Sequence, residues 1–130
     1  MSEEWKQEER RHYIRIEKHF IITYCEKNDP EQKHDISQLR NISLGGMCFV
    51  TSKKFDPNTP MDIELKTPYF SGTAHMEGVI LESHEKVSDL IYETRLRFDN
   101  LSPHAEVVLK KIVETFTKIK NIEQKEGDHE

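Results

Sequence analysis

The sequence predicts a mainly-β domain: a six-stranded antiparallel β-barrel followed by a C-terminal α-helix. Three observations carry this expectation. Apolar and polar residues alternate at period two in several short runs, most plainly Met61, Ile63 and Leu65 against Asp62, Glu64 and Lys66. Turn-forming clusters, Asn28-Asp29-Pro30, Gly45-Gly46 and Asp56-Pro57-Asn58, interrupt those runs at strand-length intervals. After Ser102-Pro103 the period changes, and Val108, Leu109, Ile112, Val113, Phe116 and Ile119 recur at helical spacing.

With 130 residues the chain has room for one domain with a real core and polar ends. Residues 1–12 are mostly Glu, Lys, Gln and Arg around a single Trp5, a composition unable to bury enough apolar surface to order itself, and are expected to form a flexible arm. Residues 13–122 form the expected barrel domain with its helix, and 123–130 a charged, disordered tail.

The strands follow in order. The first, His19-Phe20-Ile21-Ile22-Thr23-Tyr24-Cys25, is rich in β-branched and aromatic residues and places Phe20, Ile22 and Tyr24 on one face. A more polar strand over 34–42 is expected to pair back on it. The glycine pair Gly45-Gly46 makes a reversal or bulge before Met47-Cys48-Phe49-Val50-Thr51. The alternating run 61–66 is the fourth strand, and residues 72–82 are the fifth, with Gly78 marking a bulge or a close backbone approach. In the sixth, Leu90, Tyr92, Leu96 and Phe98 alternate with Glu93, Arg95 and Arg97. Ser102 is suited to cap the helix, and Pro103 loses no hydrogen bond at its first position.

Charge and composition exclude several functions. A net charge of −5 opposes a surface wholly devoted to nucleic acid or an anionic membrane, and leaves only a local basic site. No stretch has the apolar length to span a bilayer, and the first residues lack the apolar segment of a signal peptide, so a cytoplasmic protein without membrane insertion is expected. Cys25 and Cys48 lie in apolar runs and are expected to be buried thiols. The seven histidines are scattered without metal-ligand spacing, and no nucleophile stands in a catalytic motif, so neither a metal, a cofactor nor an enzyme is expected. Oligonucleotide binding would need exposed aromatics among basic residues, whereas Phe20, Tyr24, Phe49 and Phe98 have core spacing, so no DNA or RNA partner is expected.

Two short stretches carry chemistry. In Arg10-Arg11-His12-Tyr13-Ile14-Arg15, guanidinium groups capable of bidentate bonds to phosphate or to the outer edge of guanine cluster in an otherwise acidic chain. Alone, such a run among Glu8, Glu9 and Glu17 is a solvated, locally paired surface. Within it, Tyr13 is suited either to stack on a base or to anchor the arm to the barrel. In Asn41-Ile42-Ser43-Leu44-Gly45-Gly46, Asn41 and Ser43 share a strand face beside a glycine turn, which alone is an ordinary capped turn.

Taken together, in this order and spacing, the two stretches resemble the PilZ family of bacterial cyclic di-GMP receptors. The family's RxxxR element matches Arg11-His12-Tyr13-Ile14-Arg15, preceded by Arg10, and its (D/N)xSxxG element matches Asn41-Ile42-Ser43-Leu44-Gly45-Gly46. Phe98-Asp99-Asn100-Leu101-Ser102-Pro103 is similar to the family's passage from last strand to helix, and the resemblance covers about residues 8–120.

The resemblance implies a PilZ-like split barrel, second-messenger signalling and a ligand, cyclic di-GMP, bound by Arg10, Arg11, Arg15, Asn41, Ser43, Gly45 and Gly46. It implies that the arginine arm folds over the ligand and presents a new surface to a downstream protein partner of unknown identity. Arg10 inclines the expected ligand toward a stacked dimer without fixing the count. The alternative is a nucleotide-independent interaction adaptor on the same barrel. Asn41 stands where Asp is commoner, keeping an acceptor and losing a charge, and Arg95 stands where many relatives have glycine, which implies either an added ligand contact or a crowded rim.

Overall fold

The computed structural model describes residues 13–69 and 72–128, with the side chains of the last helix described through Glu123. Among these residues eight strands form one antiparallel sheet: β1 (Ile14–Arg15), β2 (Ile21–Glu26), β3 (His34–Asp35), β4 (Gln38–Ile42), β5 (Gly46–Thr51), β6 (Pro60–Lys66), β7 (Ala74–Val87) and β8 (Ile91–Asp99). Helix α1 (Pro103–Asp128) follows. The strand order is β1-β4-β5-β8-β7-β6-β2-β3.

This corrects the expected six-stranded closed barrel, since the sheet has eight strands and its end strands, β1 and β3, do not pair. The extra strands have a local cause. Residues 34–42 are two strands because Ile36 turns into the core, its amide donating to the Ile22 carbonyl, while the Ser37 carbonyl accepts from the Ile16 amide. The segment thereby leaves β2 as its partner and takes up β1 and β5. The short β1 is the remaining addition, and closure would require the first and last strands to pair.

The core lies between one face of the sheet and α1. Phe49, Leu39, Ile22, Met61, Leu65, Ile80 and Leu96 are buried from the strands, and Leu109, Ile112 and Phe116 meet them from the helix. Helix α1 starts where the sequence places it, with the Ala105 amide donating to the Ser102 hydroxyl at 3.1 Å. It continues through Asp128, and so beyond residue 122, into the segment expected to be a disordered tail. Among the described residues no helix is long and apolar enough to cross a membrane.

Of the three register shifts among the described strands, two shape the outer face beside the β4–β5 turn. Leu39 opposes Phe49 and Asn41 opposes Cys48, so Arg40 is an extra residue in β4. Ile80 opposes Leu96 and Glu82 opposes Arg95, so Leu81 is the extra residue in β7. A bulge turns an additional side chain outward without disturbing the inward ones. Arg40, Asn41 and Leu81 are all exposed, while Leu39, Ile42 and Ile80 remain buried.

Candidate functional site

The outer face of β4, β5 and β8 carries a cavity of about 240 Å³ beside the β4–β5 turn. Asn41, Ser43, Gly45, Gly46, Cys48, Leu81, Arg95 and Arg97 line it, with Met47 and Leu96 beneath. The pairing explains the assembly. Asn41 opposes Cys48, Cys48 opposes Arg95 and Arg95 opposes Glu82, which makes a cross-strand row on one face. Arg97 opposes Gly46 in the next outward position.

The turn itself is held by its own polar groups. The Ser43 amide donates to the Gly46 carbonyl at 2.9 Å, the Gly45 amide to the Ser43 hydroxyl oxygen at 3.1 Å, and the Ile42 amide to Asn41 Oδ1 at 2.9 Å. Asn41 Oδ1 and Ser43 Oγ thus each accept one backbone amide, and both side chains keep donors for the cavity: a carboxamide NH2 and a hydroxyl hydrogen. The glycines have different tasks. A Cβ on Gly46 would sit 2.2 Å from the Leu96 carbonyl oxygen, whereas one on Gly45 would meet nothing closer than the Ser43 hydroxyl at 3.7 Å. Gly46 therefore lets β8 approach β5, and neither glycine has a positive φ.

Beside the cavity stands a buried carboxylate. Glu93, two residues before Arg95 on the same face of β8, is only 7 % exposed. It accepts from the Tyr13 hydroxyl and from Arg40 Nη1 at 2.8 Å, with Lys86 Nζ 3.9 Å away. Burial alone would raise its pKa, but the Tyr13 bond together with Lys86 and Arg40 outweighs burial and holds the carboxyl below the ordinary range. The alternation that places Glu93 among wet-face residues misses this, because the Tyr13 and Arg40 that cover it come from distant segments. The Cys48 thiol is pushed up to about 11, first by burial and then by the charge of Glu93.

Of the residues expected at the site, Asn41, Ser43, Gly45 and Gly46 share this cavity. Arg15 is exposed on β1, opposite Gln38, and is not among the lining residues. Arg10 and Arg11 lie outside the described residues. Cys48, Leu81 and Arg97 were not legible as lining residues. The nearest signal for Arg97 is the pair Arg95 and Arg97 on one strand face, while Leu81 depends on a bulge that no residue type announces.

A larger cavity, about 460 Å³, opens between β2, β6 and β7. Asp62, Glu64 and Glu77 line it with Lys33 and His75, and three carboxylates make it a poor seat for an anion. Among the described residues no three His, Cys, Asp or Glu side chains gather to hold a metal ion.

The model of the PilZ domain matches residues 9–115. The chain belongs to the PilZ domain family. No curated protein matches it significantly. Among solved structures, this PilZ domain is similar to the PilZ domain of Escherichia coli YcgR with c-di-GMP, at 20% identity and a TM-score of 0.55, covering 89% of this chain and 95% of that one. It is also similar to the Bacillus subtilis inhibitor of motility MotI/DgrA, with 16% identity, a TM-score of 0.54, and coverage of 82% of this chain and 51% of the other. A third similar structure is MrkH, a c-di-GMP-dependent transcription regulatory factor, with 16% identity, a TM-score of 0.53 and coverage of 81% and 49%. This PilZ domain therefore spans about half the length of the latter two proteins. At these identities the likeness is one of fold.

Proposed function

We propose that this PilZ domain is a receptor for cyclic di-GMP that works as an adaptor: an arm carrying Arg10, Arg11 and Arg15 closes over a ligand resting against Asn41, Ser43, Gly45 and Gly46, and the ordered surface engages a protein partner. The observation that carries the reading is the cavity, which collects Asn41, Ser43, Gly45 and Gly46 with two arginines and, among the described residues, no carboxylate. Its donors suit a ligand whose polar atoms are phosphate oxygens and guanine O6 and N7. The structures of similar fold include a PilZ domain with c-di-GMP, which agrees with this ligand.

The topology favours an arm that closes from the N-terminal side. Because β1 runs antiparallel to β4, with Arg15 opposite Gln38 and Ile14 opposite Leu39, the chain traced upstream from Arg15 heads along β4 toward Asn41. Tyr13 is buried against Glu93, on the strand that carries Arg95 and Arg97. Ordering the preceding residues costs conformational entropy, which charge-assisted bonds to phosphate offset. Arg10 adds a guanidinium suited to a stacked pair of ligands.

Calorimetric titration of the intact chain with cyclic di-GMP tests the reading. Saturable binding is expected, with a stoichiometry that counts the ligands, and no heat at about tens of micromolar, an affinity range of ~6–7 kcal/mol, ends it. Arg11→Ala and Arg15→Ala should each weaken binding by about 1.5–3 kcal/mol. Unchanged affinity in both would remove the arm from the site.

A further inference from the structure

Two guanidinium groups of the cavity belong to β8 and not to the arginine arm. Arg95 and Arg97 are two apart on one strand, so their side chains leave the same face of the sheet, and both are more than half exposed. Among the described residues neither is firmly committed to a carboxylate. Arg95 Nη1 approaches Glu82 Oε1 only to 3.9 Å, and that oxygen already faces His84 Nε2 at 2.9 Å. Arg97 engages Asp99 through Nε alone, at 3.3 Å.

The surroundings leave these charges unanswered from within the site. Among the described residues no Asp or Glu lines the cavity, Asn41 is neutral, and the Asn41 and Ser43 oxygens each already accept one backbone amide, from Ile42 and Gly45. Of the two carboxylates at the flanking outward positions of β8, Glu93 is turned to Tyr13 and Arg40, and Asp99 meets Arg97 through Nε. Each polar side chain that lines the cavity among the described residues has a hydrogen-bond donor to offer, and two of them carry positive charge. Leu81, brought to the rim by the β7 bulge and 48 % exposed, adds an apolar surface of the kind a purine ring covers.

We infer that Arg95 and Arg97 hold a phosphate of the ligand from the sheet side, so that the β-domain binds anion on its own account and the arm adds to a site already charged. The inference rests on the receptor reading above and extends it to two residues outside both motifs. It makes the added side chain at position 95 a ligand contact and not an obstruction.

The test is calorimetric titration of the full chain with cyclic di-GMP at two salt concentrations, for wild type, Arg95→Gln, Arg97→Gln, the double Gln variant and the double Lys variant. Both positions are exposed, so thermal unfolding should stay at the wild-type midpoint, which separates loss of contact from loss of fold. Each Gln substitution should weaken binding about tenfold, as expected of a bond to a charged group, and flatten the salt dependence. The Lys pair, which keeps charge but loses the planar fork, should regain part of the loss. Wild-type binding with the double Gln variant within twofold overturns the assignment while leaving the receptor reading intact. Absence of binding by the wild type overturns both.

Discussion

The Tyr13 hydroxyl donates to the Glu93 carboxylate and so joins the root of the N-terminal segment to the strand that carries Arg95 and Arg97. Arg40, the extra residue of the β4 bulge, completes the clasp from the other side. A buried carboxylate is tolerable only when its oxygens are bonded, and here three segments supply the partners.

Tyr13→Phe should therefore destabilise the domain by about 1.5–3 kcal/mol near neutral pH, because it removes a bond to a charged group. Glu93 titrates below its ordinary value of 4.5 in the folded chain, so its stabilisation is complete above that value and fades as the pH falls through the lower folded one. Denaturant unfolding of wild type and variant across pH 3–8 should show curves that converge at the acid end. A difference independent of pH would mean that the hydroxyl stabilises without the charge of Glu93.

The two glycines of the turn should respond unequally to a methyl group. Gly46→Ala drives a Cβ against the Leu96 carbonyl and should cost about 1–3 kcal/mol, whereas Gly45→Ala meets only ordinary contacts and should fold as well as wild type. Thermal unfolding of the two variants checks this, and equal midpoints would contradict it.

Cys48 should behave as a protonated, slow thiol that the ligand shields. With its pKa pushed up to about 11, it should alkylate far more slowly than a free cysteine at neutral pH, with a rate still rising with pH beyond 9. In a Cys25→Ser background, iodoacetamide labelling followed by mass spectrometry gives the profile. Because Cys48 lines the cavity, cyclic di-GMP should slow it further, and an unchanged rate at saturating ligand would place the ligand elsewhere.

Three hydroxyls behind the site, Thr51 and Thr94 buried and Ser83 half-buried, form a directed chain. Thr51 donates to the Lys53 carbonyl, so Thr94 donates to Thr51 and Ser83 to Thr94, each at 2.8 Å. Thr94→Val keeps the shape and interrupts that order. It should cost about 1–3 kcal/mol by chemical denaturation, and a neutral effect would show that the remaining hydroxyls find other partners.

Much of this molecule is legible in residue periodicity. Alternation marks the inward faces of β6 and β8, helical spacing marks the buried stripe of α1 from Val108 to Ile119, and Ser102-Pro103 marks its start. The Asn41 to Gly46 stretch is legible because its residue types and spacing are local. What escapes is whatever depends on pairing between distant strands. The Arg40 and Leu81 bulges insert one residue without a marker, the break at Ile36 and Ser37 follows from a change of partner strand, and Glu93 is buried by Tyr13 from eighty positions away in the chain. Periodicity locates faces; it does not say which face another segment will cover.

The central claim, that cyclic di-GMP is held at the β4–β5 turn against β8, is tested most directly by titrating the ligand into isotope-labelled protein and following backbone amide resonances. The account predicts saturable shifts concentrated at Asn41, Ser43, Gly45, Gly46, Cys48, Arg95 and Arg97, together with the residues flanking Tyr13. Shifts centred instead on the acidic cavity around Lys33, Asp62 and Glu77, or no shifts at saturating ligand, would contradict it.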